Sequence, residues 1–235
     1  MHALFPRSSI CCSVTDVGSH KQSREQGCFI TFEGGEGAGK TTQIARLYEF
    51  LSSQDIAVIK TREPGGTLQG AALRELLLTG DKERWTPIAE ALLMTADRAE
   101  HVARVIDPAL NEGRWVICDR FADSTRAYQG VAGALGLDYV NQLQAMITGH
   151  MQPDLTILLD IDPETGLARA NERGGEARFE KMGLDYHRII RQAFLDFAAA
   201  EPSRFLVIDA AQSVADIAAQ IKLGVQTRLL DRAGA

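Results

Sequence analysis

The chain has 235 residues, of which 45% are hydrophobic and 24% are charged, so it is long and apolar enough to bury an ordinary core. Disorder over most of the chain is thereby excluded. Against 31 Asp and Glu there are 25 Lys and Arg, a net charge of −6, which argues against a basic surface for nucleic acid. No apolar run approaches the roughly 20 residues that span a bilayer, so we expect no membrane contact.

Residues 1–26 are polar or turn-prone and sustain no helical or strand period, which predicts a poorly ordered N-terminal extension. A start codon assigned too far upstream is the preferred explanation, and a transit peptide stays open. The four cysteines have neither metal-knuckle nor disulfide spacing, which favours a reducing, cytoplasmic setting. We expect one domain over residues 27–235.

Five short apolar runs predict strands that are buried on both faces, at residues 28–32, 57–60, 115–118, 155–159 and 205–208. Between them apolar side chains recur at helical spacing, as at Ile44, Leu47, Tyr48 and Leu51, or at Ala89, Leu92, Leu93 and Ala96. Strands separated by helices favour parallel pairing with crossover helices. The sequence therefore predicts a three-layer α/β fold around a five-stranded parallel sheet.

A glycine-rich segment follows the first strand and matches the phosphate-loop spacing G-x-x-x-x-G-K-[ST]. Its backbone N–H groups and the start of the next helix would hold phosphates, with Lys40 on the outer phosphates and Thr41 on Mg²⁺. The predicted ATP-binding residues here are Gly34, Gly35, Glu36, Gly37, Ala38, Gly39, Lys40, Thr41 and Thr42.

Two classes of nucleotide-binding protein are disfavoured by the rest of the chain. A GTPase switch needs an Asn-Lys-x-Asp segment, which the sequence lacks. A motor or transporter ATPase usually needs a longer chain or partner domains. A small kinase remains, with its acceptor site in the other loops at the carboxyl edge of the sheet.

The loops after the second and third predicted strands carry polar signals suited to an anionic acceptor. Residues 61–67 have the sequence TREPGGT, and residues 119–130 have the sequence DRFADSTRAYQG. Arg62 and Arg120 thus stand at strand ends, where arginine is able to hold a phosphate through paired hydrogen bonds.

With the phosphate loop, these two motifs resemble the thymidylate kinase family, which belongs to the nucleoside monophosphate kinases. The resemblance covers residues 28 to about 230. It implies the P-loop nucleoside monophosphate kinase fold and the phosphorylation of dTMP to dTDP with ATP and Mg²⁺. It also implies a homodimer that pairs helices, for which the apolar helix around residues 89–103 is a candidate face.

The resemblance further assigns roles around the acceptor. Arg62 and Arg120 would hold its phosphate, Arg98 would bond the thymine edge, and Tyr128 would fill the space of a ribose 2′-hydroxyl. Glu36 would face the sugar 3′-hydroxyl and contribute to catalysis. The expected substrate-binding residues are Arg62, Glu63, Pro64, Met94, Arg98, Arg120, Ser124, Tyr128 and Gln129. Met94 replaces the aromatic residue that family members usually carry, which puts stacking on thymine in doubt.

Arginines and a Gly-Gly pair after residue 163 indicate a positively charged lid. Because the phosphate loop has Gly37 where some relatives have arginine, the chain resembles the bacterial type, whose lid supplies that charge. Arg173 is the expected transition-state arginine, and Arg178 and Arg169 would support it at ATP. Gln212 would border adenine, and Asp119 would lie in the second shell of Mg²⁺. Lys40, Glu36, Arg120 and Arg173 form the expected catalytic set.

Two alternatives stay open at this stage. One is another small P-loop kinase, acting on a deoxynucleoside or a different monophosphate, and the other is a nucleotide-binding regulator without turnover. The expected partners are dTMP and ATP.

Overall fold

The computed structural model describes residues 27–149, 151–172 and 178–231, so the expected extension and Arg173 lie outside the described residues. Its strands confirm the five predicted ones to within two residues: β1 Phe29–Glu33, β2 Val58–Arg62, β3 Trp115–Asp119, β4 Leu155–Asp160 and β5 Phe205–Asp209. All neighbouring strands pair in parallel, as predicted.

The strand order of the sheet is β2-β3-β1-β4-β5, so β1 is central. After β1 the chain crosses to β2 on one side, and after β3 it crosses to β4 on the other. The carboxyl end of β1 is therefore a point at which the winding direction reverses, and open α/β sheets bind ligands at such points.

The α-helices among the described residues are α1 Lys40–Ser53, α2 Leu68–Leu78, α3 Pro87–His101, α4 Asp107–Asn111, α5 Ala122–Thr125, α6 Leu137–Thr148, α7 Pro163–Glu172, α8 Leu184–Ala200 and α9 Val214–Val225. Short π-helical segments continue three of them at Val102–Ile106, Arg126–Ala132 and Gln226–Leu230, and a 3₁₀ turn spans Arg178–Lys181. No helix among the described residues combines the length and the apolar character needed to cross a membrane.

The helices cover both faces of the sheet, which gives the three predicted layers. On one face α1 and α9 bury residues such as Ile30, Phe32 and Ile157. On the other face the segment from Val102 to Leu110 packs on Phe29, and α8 packs on β4 and β5. Alternation along β1 therefore sends Glu33 to the face that carries the acceptor loops.

The buried face of α3 differs from its apolar stripe. Periodicity predicts the helix correctly, but Leu92 is 49% exposed and Ala96 is also exposed. The buried side chains of α3 are mostly polar, namely Glu90, Ala91, Thr95, Asp97, Arg98 and His101. A polar buried face needs polar partners, and it finds them in the loops beside the phosphate loop.

Candidate active site

The phosphate loop connects β1 to α1 and presents an anion-binding helix terminus. Gly39 precedes α1 with a φ of 89°, in the left-handed region. The first N–H groups of a helix have no partner within it, so those of α1 are available for phosphate oxygens. Lys40 is buried, and its Nζ donates to the carbonyl oxygens of Gly34 and Gly35, 3.0 Å away in each case.

Two glycines bring α7 against this loop. A Cβ atom on Gly37 would lie 1.9 Å from the carbonyl oxygen of Gly166, and the φ of Gly37 is +68°. A Cβ atom on Gly166 would lie 2.4 Å from the carbonyl oxygen of Glu36. The helix that leads towards the expected lid therefore touches the phosphate loop through backbone atoms.

Glu36 lies between the phosphate loop and the acceptor side. Its Oε1 accepts hydrogen bonds from Arg120 Nη2 and from the Tyr128 hydroxyl, both at 2.9 Å. Burial alone would raise the pKa of Glu36, but the positive charges of Arg120 and Lys40 lower it to about 2. An ionised acid is thus tolerated beside the phosphate loop because its charge is neutralised.

Arg120 and Ser124 are positioned by a buried acid, Glu33. The Glu33 carboxyl accepts from the Phe121 backbone N–H at 2.8 Å and from the Ser124 hydroxyl at 2.6 Å. Ser124 Oγ in turn lies 3.1 Å from Arg120 Nη1. Burial, followed by repulsion from Asp123, raises the pKa of Glu33 to about 7. Arg120 itself has a φ of +68°, a strained value for a residue with a side chain, so this support is needed.

A cavity of about 160 Å³ lies beside Glu36 and Arg120. It is lined by Glu36, Glu63, Pro64, Arg74, Leu78, Met94, Arg98, Arg120, Phe121, Ser124, Thr125, Tyr128, Gln129, Phe179 and Glu180. Every residue expected to bind substrate lines it except Arg62, which lies at the neighbouring phosphate cavity. Apolar walls with a few polar groups are typical of small-molecule sites.

Arg98 is held in this wall with one nitrogen unused. Its Nε donates to Glu63 Oε2 at 2.8 Å, and its Nη2 donates to the Phe121 carbonyl and to Thr125 Oγ1 at 3.0 and 3.1 Å. Arg98 Nη1 is buried and has no hydrogen-bond partner among the described residues. A guanidinium only donates, so this nitrogen suits a hydrogen-bond acceptor on a ligand.

Gln129 is oriented by another buried acid, Glu90. The distance from Gln129 Nε2 to Glu90 Oε1 is 2.6 Å. Because a carboxylate only accepts, the amide nitrogen faces Glu90 and the amide oxygen remains as an acceptor. Arg98 and Gln129 thus offer one donor and one acceptor in the same cavity.

Arg178 lies on the acceptor side, although the sequence suggested a contact with ATP. It is buried and pairs with Glu90, while its Nε and Nη1 donate to the carbonyl oxygens of Leu77 and Lys82 at 3.1 and 2.8 Å. It does not line the cavity at the phosphate loop. These bonds to main-chain oxygens of and after α2 explain the placement, because a buried arginine needs fixed acceptors.

A second cavity, of about 200 Å³, surrounds the phosphate loop. Arg62, Arg74 and Arg120 all line it, so three cations face the loop. Asp119 also lines it, together with Thr41, and the Oδ1 atom of Asp119 is buried without a partner in the part of the chain that the structure describes. A carboxylate oxygen and a hydroxyl are the ligand types that Mg²⁺ prefers, so these residues fit the metal.

Three further residues expected to bind ATP, from the phosphate loop, the lid and the adenine border, do not line the cavity at the phosphate loop. Arg169 lies in α7, and its Nη1 donates to the carbonyl oxygen of Ala210, 3.0 Å away, in the loop that follows β5. Gln212 lies in the same loop, exposed, and accepts from Gln220 at 2.7 Å. Thr42 is exposed in the first turn of α1. The structure thus brings Arg169 close to the loop that carries Gln212.

Sequence reasoning missed Glu33, Arg74, Glu90 and His101. Glu33 and Glu90 were detectable in principle as acids within apolar segments that must be buried. Arg74 shares a helix with mostly apolar neighbours and gave no signal. His101 is fully buried and bonded to Glu63, a contact that no local pattern indicates.

The fold and this pair of adjoining cavities define a P-loop phosphotransferase with an acceptor pocket next to the phosphate loop. The thymidylate kinase family model matches residues 32–221. The chain is 50% identical over 204 residues to thymidylate kinase of Caulobacter vibrioides, which covers 87% of this chain and 98% of that protein. It is 54% identical over 202 residues to thymidylate kinase of Synechococcus sp. strain JA-3-3Ab, with 86% and 97% covered.

The crystal structure of thymidylate kinase from Ehrlichia chaffeensis resembles the structure with a TM-score of 0.70 at 32% identity, covering 86% of this chain and 99% of that one. The chain belongs to the thymidylate kinase family.

Proposed function

We propose that the protein transfers the γ-phosphate of ATP to dTMP, which gives dTDP and ADP. The observation that carries this proposal is the acceptor cavity, which offers an unpaired donor on Arg98 and an acceptor on Gln129 within apolar walls next to the phosphate loop. Family membership supports the same acceptor.

The donor and the acceptor suit the edge of thymine. Thymine presents a carbonyl at C4 and an N–H at N3, which complement Arg98 Nη1 and the Gln129 amide oxygen. Cytosine presents an amino group at C4 and an unprotonated N3, so it would place donor against donor and acceptor against acceptor. Buried polar groups left unpaired cost about 1–3 kcal/mol each.

The sugar would lie between the base pocket and the phosphate loop. Tyr128 is buried, and its hydroxyl is fixed by Glu36 at 2.9 Å, so its ring is a rigid wall. We propose that this wall excludes a ribose 2′-hydroxyl and that Glu36 accepts from the 3′-hydroxyl. Met94 lines the cavity and would contact the base through its polarizable sulfur.

Transfer needs alignment and neutralisation of charge rather than a base, because the attacking phosphate oxygen is already ionised at neutral pH. Arg62, Arg74 and Arg120 would hold the acceptor phosphate, since all three line the cavity at the loop. Burial lowers the pKa of Lys40, and the positive charge of Arg120 lowers it further. Negatively charged phosphates bound at the loop would therefore favour the protonated form of Lys40. Arg173 would supply the lid's transition-state charge.

Thr41 and Asp119 would hold Mg²⁺ when it binds with ATP, and the ion would supply positive charge that favours phosphoryl transfer. Thr41 would contribute its hydroxyl, and Asp119 would support the metal from the second shell through Oδ1, which has no partner among the described residues. Arg169 and Gln212 would border the adenine end of ATP. The phosphate-loop residues Gly34 to Thr42 would hold its phosphates.

One panel of assays tests the acceptor. ADP release is measured with dTMP, dUMP, dCMP, dGMP and thymidine as acceptors. We expect dTMP to give the highest kcat/KM and thymidine to give none. A preference for another monophosphate or for thymidine would support a different small kinase, and binding of ATP without ADP release would support a regulator.

We also propose a cytoplasmic homodimer that pairs α3 and α6. These helices pack together, and they expose Leu92, Tyr139 and Met146, the last at 81%. Replacing one apolar contact by a charge should separate such a dimer. Light scattering should show Leu92→Glu as a monomer at concentrations where the unaltered protein is a dimer, and equal masses would contradict the assigned face.

A further inference from the structure

His101 at the end of α3 is fully buried and bonded on both sides of its ring. Nδ1 lies 2.8 Å from Glu63 Oε1, and Nε2 lies 2.5 Å from Thr61 Oγ1. Because the Glu63 carboxylate only accepts, Nδ1 carries the hydrogen. His101 therefore fixes one oxygen of Glu63 and leaves the other free for a different partner.

That other oxygen, Oε2, accepts from Arg98 Nε at 2.8 Å. Glu63 thus connects a histidine that does not line the acceptor cavity to an arginine that does. The opposite side of the guanidinium is fixed by Phe121 and Thr125, so Arg98 Nη1 has a single direction.

The ring also has a steric role beneath the TREPGGT segment. A Cβ atom on Gly66 would lie 2.3 Å from the Cδ2 and Nε2 atoms of His101. The backbone therefore packs directly on the imidazole. Displacing this ring would move the segment that carries Glu63.

We propose that His101 is a positioning residue for base selection: through Glu63 it sets the direction of Arg98, so the preference for a 4-carbonyl over a 4-amino pyrimidine depends on a ring that never touches the nucleotide. This inference rests on the proposed function. Selectivity by hydrogen bonding is lost when the donor moves by about an ångström. Arg98 could move that far if Glu63 were no longer held by His101.

The test compares kcat and KM for dTMP, dCMP and ATP in matched variants. His101→Phe keeps a ring and removes both hydrogen bonds, whereas His101→Asn keeps a donor near the position of Nδ1. Thr95→Val is the control, because Thr95 is buried on the same helix and bonds only the Ala91 carbonyl, at 2.6 Å.

For His101→Phe we expect KM for dTMP to rise about tenfold and the dTMP to dCMP ratio of kcat/KM to fall about tenfold, the scale of one lost charged hydrogen bond. KM for ATP should stay within twofold. His101→Asn should recover most of the ratio, and Thr95→Val should leave it unchanged.

An unchanged dTMP to dCMP ratio in His101→Phe, with both substrates weakened equally, would overturn the inference and leave His101 a core residue. If His101→Phe does not fold, Thr61→Val decides, because it removes only the Nε2 partner: a ratio lowered about threefold supports the inference, and an unchanged ratio overturns it. Failure of the unaltered protein to bind or phosphorylate dTMP would instead overturn the proposed function.

Discussion

The phosphate loop and the acceptor cavity share the carboxyl end of the sheet but are built differently. The loop uses main-chain groups that are close in sequence, and Lys40 bonds only carbonyl oxygens five and six residues away. The acceptor cavity uses side chains far apart in sequence, such as Arg98 and Glu63 or Gln129 and Glu90, which are joined by buried bonds. A substitution at the loop should therefore affect chemistry, whereas one in the cavity wall should affect recognition.

The largest expected effect is at the loop. Lys40→Ala and Lys40→Met should each lower kcat by about 10²–10³, because they remove a charge that meets the phosphates in the transition state. The melting temperature should change little, since Lys40 Nζ bonds main-chain carbonyl oxygens and Glu36 keeps its hydrogen bonds to Arg120 and Tyr128. Near-normal turnover by either variant would contradict the assignment of the loop.

A smaller effect is expected at the sugar wall. Tyr128→Ala should lower the preference for dTMP over its ribose counterpart, measured as the ratio of their kcat/KM values, by a few tens of fold. The reason is that space opens for the extra hydroxyl. Tyr128→Phe keeps the ring and should preserve the ratio, although it loses the bond to Glu36. If both substrates weaken by the same factor in Tyr128→Ala, the ring supports the fold only.

Variants of Arg178 and Arg169 should affect different substrates. Arg178→Ala removes the ion pair that holds Glu90, so Gln129, which Glu90 orients, becomes less fixed. KM for dTMP should therefore rise about tenfold while KM for ATP stays within twofold. Arg169→Ala, in α7 before the expected lid, should raise KM for ATP and leave KM for dTMP unchanged. Steady-state kinetics with each substrate varied would show the reverse pattern if Arg178 serves ATP.

The smallest expected effect is on stability. The pKa of Glu33, raised by burial from 4.5 to about 7, means that the folded state binds a proton which the unfolded state releases, so stability falls as pH rises. Between about pH 6 and pH 8 this group should lower the free energy of unfolding by roughly 1.4 kcal/mol. Urea titrations at several pH values should show that Glu33→Gln weakens this pH dependence of the free energy of unfolding. An unaltered pH dependence would mean that a group other than Glu33 causes it.

The strands, the layers and the phosphate loop could be predicted because each depends on residues near one another in sequence. The carboxylates that orient the cavity could not, since Glu63 meets Arg98 across 35 residues and Gln129 meets Glu90 across 39. Arg178 shows the limit most clearly. Its neighbours in sequence suggested a lid, but its buried partners are on α2, on α3 and in the loop between them.

The contact between Gly37 and Gly166 also constrains how this enzyme can evolve. Position 37 accepts no side chain in this arrangement, because even a methyl group would clash with the carbonyl oxygen of Gly166. A Cβ atom on Gly166 would likewise clash with the carbonyl oxygen of Glu36. Any side chain at position 37 would therefore require α7 to move away from the phosphate loop. Position 37 is thus open to evolution only through a coupled change in α7 rather than through one substitution.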